Sequence, residues 1–363
     1  MVRGERALRA PPAFVFRTRS DAGRVAPRSD RPLLAFRGGA PYHPGAVHLT
    51  VLSRSRSIYT TRRLIEAAHL AGHRARVIDP LDVEMGLGEE APRVYWRRRR
   101  FPDTDVVIPR IGLSIHQFGL AVVSQLELLG VPVLNGAKAI AASRDKMRSL
   151  QLLAAAGVKV PRTVMAGNPS GLREMVELAG GVPVLVKLVA ANQKSGVMIC
   201  ESLQSLEAAL EAILGLGQDI VVQQYLKGAK GRDLRVLVVG GAVVAAMRRS
   251  PPVGTFARNL RRGAQFERIE LPDSYARTAV EAARVLGLEV CAVDMLDVKG
   301  GPRVFEVNSS PSIREPEQVC GVDAAGRIVE RAVALAAERP ARPDAAAPGP
   351  AAAPGPTPRA SRA

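Results

Sequence analysis

The sequence predicts two architectures in succession: a parallel α/β domain, then an α+β domain of antiparallel hairpins and helices. Three observations carry this reading. A βαβ signal opens the patterned region, with the alternating run Val47 to Ser53, a helical period over 60–71, and the strand Arg76 to Asp79 ended by Pro80. Further along, Leu234 to Val239 and Ala242 to Met247 flank Gly240-Gly241, a hairpin signal. A second hairpin spans Cys291 to Ser310, two short apolar strands joined across Lys299-Gly300-Gly301-Pro302. Strands separated by helices predict a parallel sheet, whereas runs of hairpins with helices on one side predict α+β packing.

Each element follows in order. In the first helix Leu64, Ala67, Ala68 and Ala71 share one face. Val94 to Arg100 reads as a short solvent-edge ribbon whose four arginines form a solvated face. Asp105 to Pro109 is a buried strand, 118–129 a helix, Val131 to Leu134 a strand, and 137–156 one continuous helix. Beyond it, Pro161 to Met165, Val184 to Leu188, Val197 to Cys200 and Ile220 to Gln223 are strands, with helices at 171–179 and 202–214. A helix at 274–286 leads into the second hairpin, and 323–338 forms the last helix. The expected organisation is an Arg-rich disordered extension over 1–45, an α/β domain over 46–145, a lid subdomain over 146–245, a C-terminal subdomain over 246–338, and an Ala/Pro tail over 339–363.

The 363 residues carry a net charge of +17, and its location matters more than its size. Residues 1–40 contribute +6 and residues 339–363 contribute +3, leaving +8 for the body. More than half of the excess therefore lies in the two low-complexity ends, which argues against direct nucleic-acid binding. Cys200, Cys291 and Cys320 are widely spaced with no CxxC pair, so neither zinc nor a disulfide framework is expected, and a cytoplasmic location is. No apolar run approaches the ~20 residues of a membrane span.

The second hairpin concentrates hard oxygen ligands. Glu306 and Asn308 are two apart and share a strand face. Asp294 joins them only if the loop pairs it with Glu306. A two-residue Gly-Gly loop would pair it with Val307 and turn it away, whereas a three- or five-residue loop would bring all three together. Two carboxylates and an amide on one patch suit Mg²⁺; the alternative is that Asp294 caps a turn and Glu306 pairs with an arginine. Lys187 lies inside the apolar strand Val184 to Leu188, where its ammonium either meets an anion or reaches an edge. The polar loop after it, with Gln193, Lys194 and Gly196, has the small residues of a phosphate-covering loop. Lys146 faces a cleft or is a surface charge. Asp233 and Arg235 share a strand face, Gln224 and Tyr225 end a strand, and Arg248, Arg249, Arg258, Arg261 and Arg262, with Asn259 among them, form a basic cluster.

In order along the chain, VLSRSRSIYTTRRL, VIDPLDVEM, VIPRIG, SRDKMRSLQLLAAAG, VLVKL, GRDLRVLVVGG, VAAMRR, VDML and FEVNSSP form a series. With it the body, about residues 47–338, resembles the RimK-type ATP-grasp carboxylate–amine ligases along nearly its whole length. The resemblance implies an ATP-grasp fold preceded by a pre-ATP-grasp parallel α/β domain. It also implies a reaction in which ATP and Mg²⁺ (or Mn²⁺, as two ions) activate a carboxylate as an acyl phosphate that an amino acid's amine attacks. Glutamate is the implied amino acid, and the implied acceptor is a protein C-terminus such as that of the sixth protein of the small ribosomal subunit. Homo-oligomers are common in the family.

By the same resemblance Asp294, Glu306 and Asn308 are metal ligands, Lys146 and Lys187 contact ATP phosphates, Gln224 and Tyr225 meet the adenine, and Asp233 lies near the nucleotide. Gln193, Lys194 and Gly196 belong to the phosphate loop, and Arg258 and Asn259 face the reacting phosphoryl group. Departures are confined to loops and one strand end. The family's Gly-Thr-Gln-Gly-Ile-Gly becomes Ala191-Asn192-Gln193-Lys194-Ser195-Gly196, its adenine-strand Glu becomes Gln224, and its Phe-Arg-Ser-Asn becomes Phe256-Ala257-Arg258-Asn259. Ser312 replaces the usual glycine, and Ile313-Arg314-Glu315-Pro316 departs from the acceptor-side loop. These changes leave two alternatives: a ligase for a small molecule or carrier protein in amino-acid biosynthesis, or a catalytically silent nucleotide-binding protein.

Overall fold

In a computed structural model of the chain, residues 45–88, 92–166, 171–188, 197–214, 220–226, 233–250 and 265–338 are described. The first sheet is parallel. Strand β1 (His48–Leu52) pairs with β2 (Arg74–Ile78) after α1 (Tyr59–Leu70). A ribbon of β3 (Val83–Gly86), β4 (Arg93–Trp96) and β5 (Arg99–Arg100) then intervenes before β6 (Val106–Pro109) pairs with the other side of β1. The order β2-β1-β6 leaves a change of direction between β1 and β6.

Two expectations fail here for local reasons. Val131 to Leu134 forms only an isolated bridge, Val107 to Val133, because Pro132 has no N–H to extend a ladder. After α2 (His116–Leu128), the helix expected over 137–156 breaks into α3 (Ala137–Arg144) and α4 (Lys146–Ala155). Asp145 leaves the helical conformation at ψ 103° and caps α4, its carboxylate accepting from Arg148 N–H at 2.9 Å. Lys146 thereby becomes the first residue of a new helix.

The next sheet is antiparallel, in the order β7-β10-β8-β9: β7 (Thr163–Ala166), β8 (Val184–Leu188), β9 (Val197–Cys200) and β10 (Ile220–Gln224). Period-two alternation splits its faces. Val184, Val186 and Val222 pack under α5 (Leu172–Leu178) and α6 (Leu203–Leu214) with Met175, Leu206 and Leu210. Lys187 and Gln223 occupy the opposite face.

The last sheet runs β13-β12-β11-β14-β15: β11 (Asp233–Val239), β12 (Ala242–Ser250), β13 (Gln265–Arg268), β14 (Val290–Leu296) and β15 (Arg303–Asn308). Helices cover both faces, not one as the hairpin pattern suggested. Val236, Val238, Cys291, Val293 and Met295 pack on α7 (Asp273–Leu286) through Ala279, Ala282 and Ala283. Gly287 at φ +67° ends that helix in the left-handed region. On the other face, Leu237, Val239, Ala245 and Met247 meet Ile328, Val329 and Ala332 of the terminal helix. That helix, α9 (Ala324–Ala337), follows the short α8 (Arg314–Cys320). The same cluster includes Leu49, Val51, Leu64 and Ala68, so the parallel domain and the C-terminal sheet share one core.

A buried side chain fixes that junction. Asn135 donates from Nδ2 to the carbonyls of Val290 and Ser309 at 2.7 and 2.9 Å. Its Oδ1 accepts from the N–H groups of Glu289 and Val290 at 2.9 and 3.1 Å. All four bonds of one amide thus tie the end of the first domain to the root of β14.

Candidate active site

The register of the β14–β15 hairpin decides whether the expected metal ligands meet. Leu296 pairs with Arg303 and Met295 with Val304, but Asp294 pairs with Glu306. Phe305 is the extra residue of a bulge, and Gly300 and Gly301, at φ +93° and +97°, form the turn below it. The bulge corrects the register by one and places both carboxylates on one face, about 5 Å apart at Cβ. Asn308 lies two residues beyond Glu306, with its Oδ1 accepting from Ser310 N–H at 3.0 Å.

Across the sheet, the same face carries a ladder of charges. Arg235 on β11 stands opposite Asp294 and grips it with two bonds, Nε to Oδ1 at 2.8 Å and Nη2 to Oδ2 at 2.7 Å. One strand-step away Arg249 pairs with Asp233, Nε to Oδ2 at 3.1 Å, and reaches to 3.8 Å from Asp294. Burial works against the charge of Arg235, but Asp294, with Asp233 and Glu306 nearby, holds its guanidinium above its ordinary range. The Asp233 carboxyl is pushed up to about 6 by burial, against the pull of Arg249. Asp294 is 1% exposed. The expected arginine partner therefore falls to Asp294, supplied by Arg235.

That pairing does not use up the carboxylate. Each Asp294 oxygen accepts one bond from Arg235 and keeps a further lone pair, so the guanidinium can orient the carboxylate without consuming it. The donors are hard oxygens of the kind Mg²⁺ takes. Among the described residues no group of three or more His, Cys, Asp or Glu could hold a metal. The amide of Asn308, substrate phosphates and water would complete the shell.

Lys187 reaches this patch from the antiparallel sheet of β7, β8, β9 and β10. Its Nζ lies 5.6 Å from the centre of the Phe305 ring and donates to Gln223 Oε1 at 2.6 Å. Gln223 is oriented in turn, its Nε2 donating to Thr163 Oγ1 at 2.8 Å. Burial, with Lys146 nearby, pushes the Lys187 ammonium down to about 8, and Glu306 opposes the shift. Lys146, Lys187, Glu306 and Asp294 thus converge although they come from four elements. Gln224 sits at the end of β10, its Oε1 3.4 Å from Arg162 N, with the half-buried Tyr225 beside it. Gln193, Lys194, Gly196, Arg258 and Asn259 lie outside the described residues.

Sequence reasoning put Arg235 on a strand face with Asp233 and Arg249 in a basic cluster suited to phosphoryl groups, paired neither with a carboxylate, and passed over Phe305. The signal for Arg235 and Arg249 was present: alternate positions on paired strands put 233, 235 and 249 on one face. Phe305 had no such signal, because its place depends on the bulge.

Two family models match the chain, one described as a RimK-like ATP-grasp domain over residues 143–332 and one as a RimK PreATP-grasp domain over residues 47–140. A protein of Teredinibacter turnerae named "Probable alpha-L-glutamate ligase" is 45% identical over 284 residues, covering 78% of this chain and 94% of the relative. One of the same name from Methanococcoides burtonii is 43% identical over 282 residues, with coverage of 78% and 94%. The solved structure of the ATP-grasp ligase PsnB with a minimal precursor superposes at a TM-score of 0.64 and 24% identity, covering 80% of this chain and 99% of that one. A D-alanine–D-alanine ligase from Bacillus anthracis gives 0.56 at 19% identity, covering 81% and 97%. Both structures are likenesses of fold. The chain belongs to the RimK-like ATP-grasp family and is an ATP-dependent carboxylate–amine ligase.

Proposed function

We propose that the chain adds L-glutamate to the C-terminal carboxylate of a protein, with the sixth protein of the small ribosomal subunit as the first acceptor to try. The observation that carries the chemistry is the cross-strand pair Asp294–Glu306 facing Lys187. The choice of glutamate draws on the names of relatives that match along 94% of their length. Mg²⁺ or Mn²⁺, as one or two ions, would neutralise phosphate charge when bound by Asp294, Glu306 and Asn308.

In this reading Lys187 and Lys146 hold phosphate oxygens of ATP, and Gln223 keeps the Lys187 ammonium aimed at them. The half-buried setting of Lys187 strengthens that contact. Gln224 and Tyr225 line the base, and Asp233 holds Arg249 within the ladder beside the nucleotide. Arg258 and Asn259 face the transferred phosphoryl group, and Gln193, Lys194 and Gly196 cover it. The acceptor carboxylate takes the γ-phosphoryl, the glutamate amine attacks the acyl carbon, and phosphate leaves as the amide forms.

The test supplies the full chain with MgATP, each amino acid in turn, and the acceptor protein with its C-terminus free or amidated. Expected are ADP release that requires glutamate and the free acceptor, and a mass gain of whole glutamyl residues on the acceptor. Glu306→Gln and Asp294→Asn should each lower kcat at least about a hundredfold. ADP release that depends on another amino acid or on a small acceptor would refute the proposed substrates.

A further inference from the structure

Three basic side chains converge at the C-terminal edge of the parallel sheet, away from the charge ladder. In an open sheet of this kind, ligands bind beyond the strand ends where the connection changes direction. Here that point lies between β1 and β6. Arg110 is the first residue after β6, and its N–H donates to the carbonyl of Leu52, the last residue of β1, at 2.8 Å. The root of its side chain is therefore fixed at the crevice.

The donors there are left without partners. Arg110 Nε, His116 Nδ1 and Arg144 Nη1 are all buried and make no hydrogen bond. Arg144 spends its Nη2 on the carbonyl of Ile111, next to Arg110 in the chain, and its charge acts on both of the others. Burial, reinforced by Arg144, pushes Arg110 down to about 10 and also lowers His116; burial lowers Arg144 itself. Among the described residues no Asp or Glu pairs with any of the three. The buried hydroxyls of Ser309 and Ser310, which follow the metal strand, also lack partners, and Ser309 lines one narrow cavity with Arg110.

All three side chains are half-buried, and cationic groups crowded there without counter-charge are destabilising. A chain that keeps two guanidiniums and an imidazole together at a ligand-binding edge has left out an anion. We propose that Arg110, His116 and Arg144 form a binding site for a non-reacting carboxylate of a ligase substrate, either the amino acid's own or one on the acceptor. Its assignment to a ligase substrate rests on the function proposed above. Guanidinium forks match the planar carboxylate. Ser309 connects the pocket to the strand of Glu306 and Asn308, so a carboxylate held here orients the rest of its molecule toward the phosphoryl site. The carboxylate is bound and not transformed.

Calorimetry on the full chain, saturated with Mg²⁺ and a non-hydrolysable ATP analogue, tests this. The probes are L-glutamate against L-glutamine and L-isoglutamine, which lack the side-chain and the α-carboxylate in turn, and a glutamate-ended against a glutamine-ended peptide, each with its reacting C-terminal carboxylate free. Arg110→Met and Arg144→Met should each weaken at least one carboxylate probe about tenfold or more, the loss of a charge-assisted hydrogen bond. Affinity for the counterpart that lacks the bound carboxylate, and for the ATP analogue, should stay within about twofold. Loss confined to L-glutamate assigns the pocket to the amino acid; loss confined to the peptide assigns it to the acceptor. Should Arg110→Met lose ATP-analogue binding, and so its fold, Arg144→Lys and His116→Gln decide by the same criterion. Unchanged affinity for both probes in variants that keep the analogue would overturn the site. So would inorganic phosphate binding that disappears in the variants while both carboxylate probes are unaffected. Carboxylate binding that needs Arg110 in a chain that never transfers glutamate would sink the proposed function alone. Glutamate transfer with unchanged KM values in Arg110→Met would sink the pocket alone.

Discussion

Replacing Lys187 by methionine should stabilise the unliganded protein while weakening its hold on ATP. The ammonium lies half-buried beside Lys146, which displaces its pKa from 10.5 to about 8. A displacement of that size corresponds to about 3 kcal/mol against the charged form. Methionine keeps the apolar stem but loses the 2.6 Å bond to Gln223, worth about 1 kcal/mol, so the net gain at pH 7 is about 2 kcal/mol. The sign with pH follows from proton counts. Between pH 8 and 10.5 the unfolded chain holds the Lys187 proton and the folded chain has released it, so wild-type stability rises with pH across that window. The advantage of Lys187→Met should therefore fall to near zero by pH 10. Urea unfolding of the full chain at pH 7 and pH 10, without nucleotide, measures both values. MgATP affinity at pH 7 should fall at least about tenfold in the variant, the loss of a charged contact. A variant less stable than wild type at pH 7, or a difference that does not shrink by pH 10, would refute the reasoning.

Other perturbations act on single contacts. Asn135→Ala leaves two N–H groups and two carbonyls at the domain junction without their partner; it should cost about 3–5 kcal/mol, seen as a lower urea midpoint at unchanged m. Arg235→Met leaves Asp294 buried without its guanidinium and should cost about 3–5 kcal/mol. Adding Asp294→Asn should return part of that loss, and a double-mutant cycle would show coupling above about 1 kcal/mol. Gly287→Ala forces a side chain into the left-handed region that ends α7 and should lower thermal stability by about 1 kcal/mol.

What the sequence disclosed depended on whether the feature was periodic or local. Alternation and helical spacing carried β1, α1, β2, β6 and both hairpins, because burial on one face repeats at a fixed period. Asp294, Glu306 and Asn308 stood out as hard ligands on adjacent strands. Their register did not, since a bulge at Phe305 leaves no mark on the alternation of Val304 and Val307. The break at Asp145 was hidden for a similar reason. Apolar spacing continues across it, and only the bond from the Asp145 carboxylate to Arg148 N–H reveals a second helix start. Short elements such as β3, β13 and α8 offer too few residues for a period to emerge.

The distribution of charge compensation gives the site its logic. On the C-terminal sheet each buried carboxylate of the ladder has an arginine opposite, Asp233 with Arg249 and Asp294 with Arg235, so that ladder stands without a ligand. Cations crowd one another elsewhere: Lys187 beside Lys146, where Glu306 offsets part of the repulsion, and Arg110 beside Arg144. Lys187 meets the strand of Glu306 and Asn308 at Phe305, and Arg110 shares a cavity with Ser309, the residue after that strand. A ligase that must gather a nucleotide and two further substrates, all bearing anionic groups, gains from this arrangement. Each anion that binds relieves a repulsion the folded protein already bears, and so adds to its own affinity. Removing either cluster should accordingly raise unliganded stability and lower affinity together, a pairing that loss of an ordinary structural contact cannot produce.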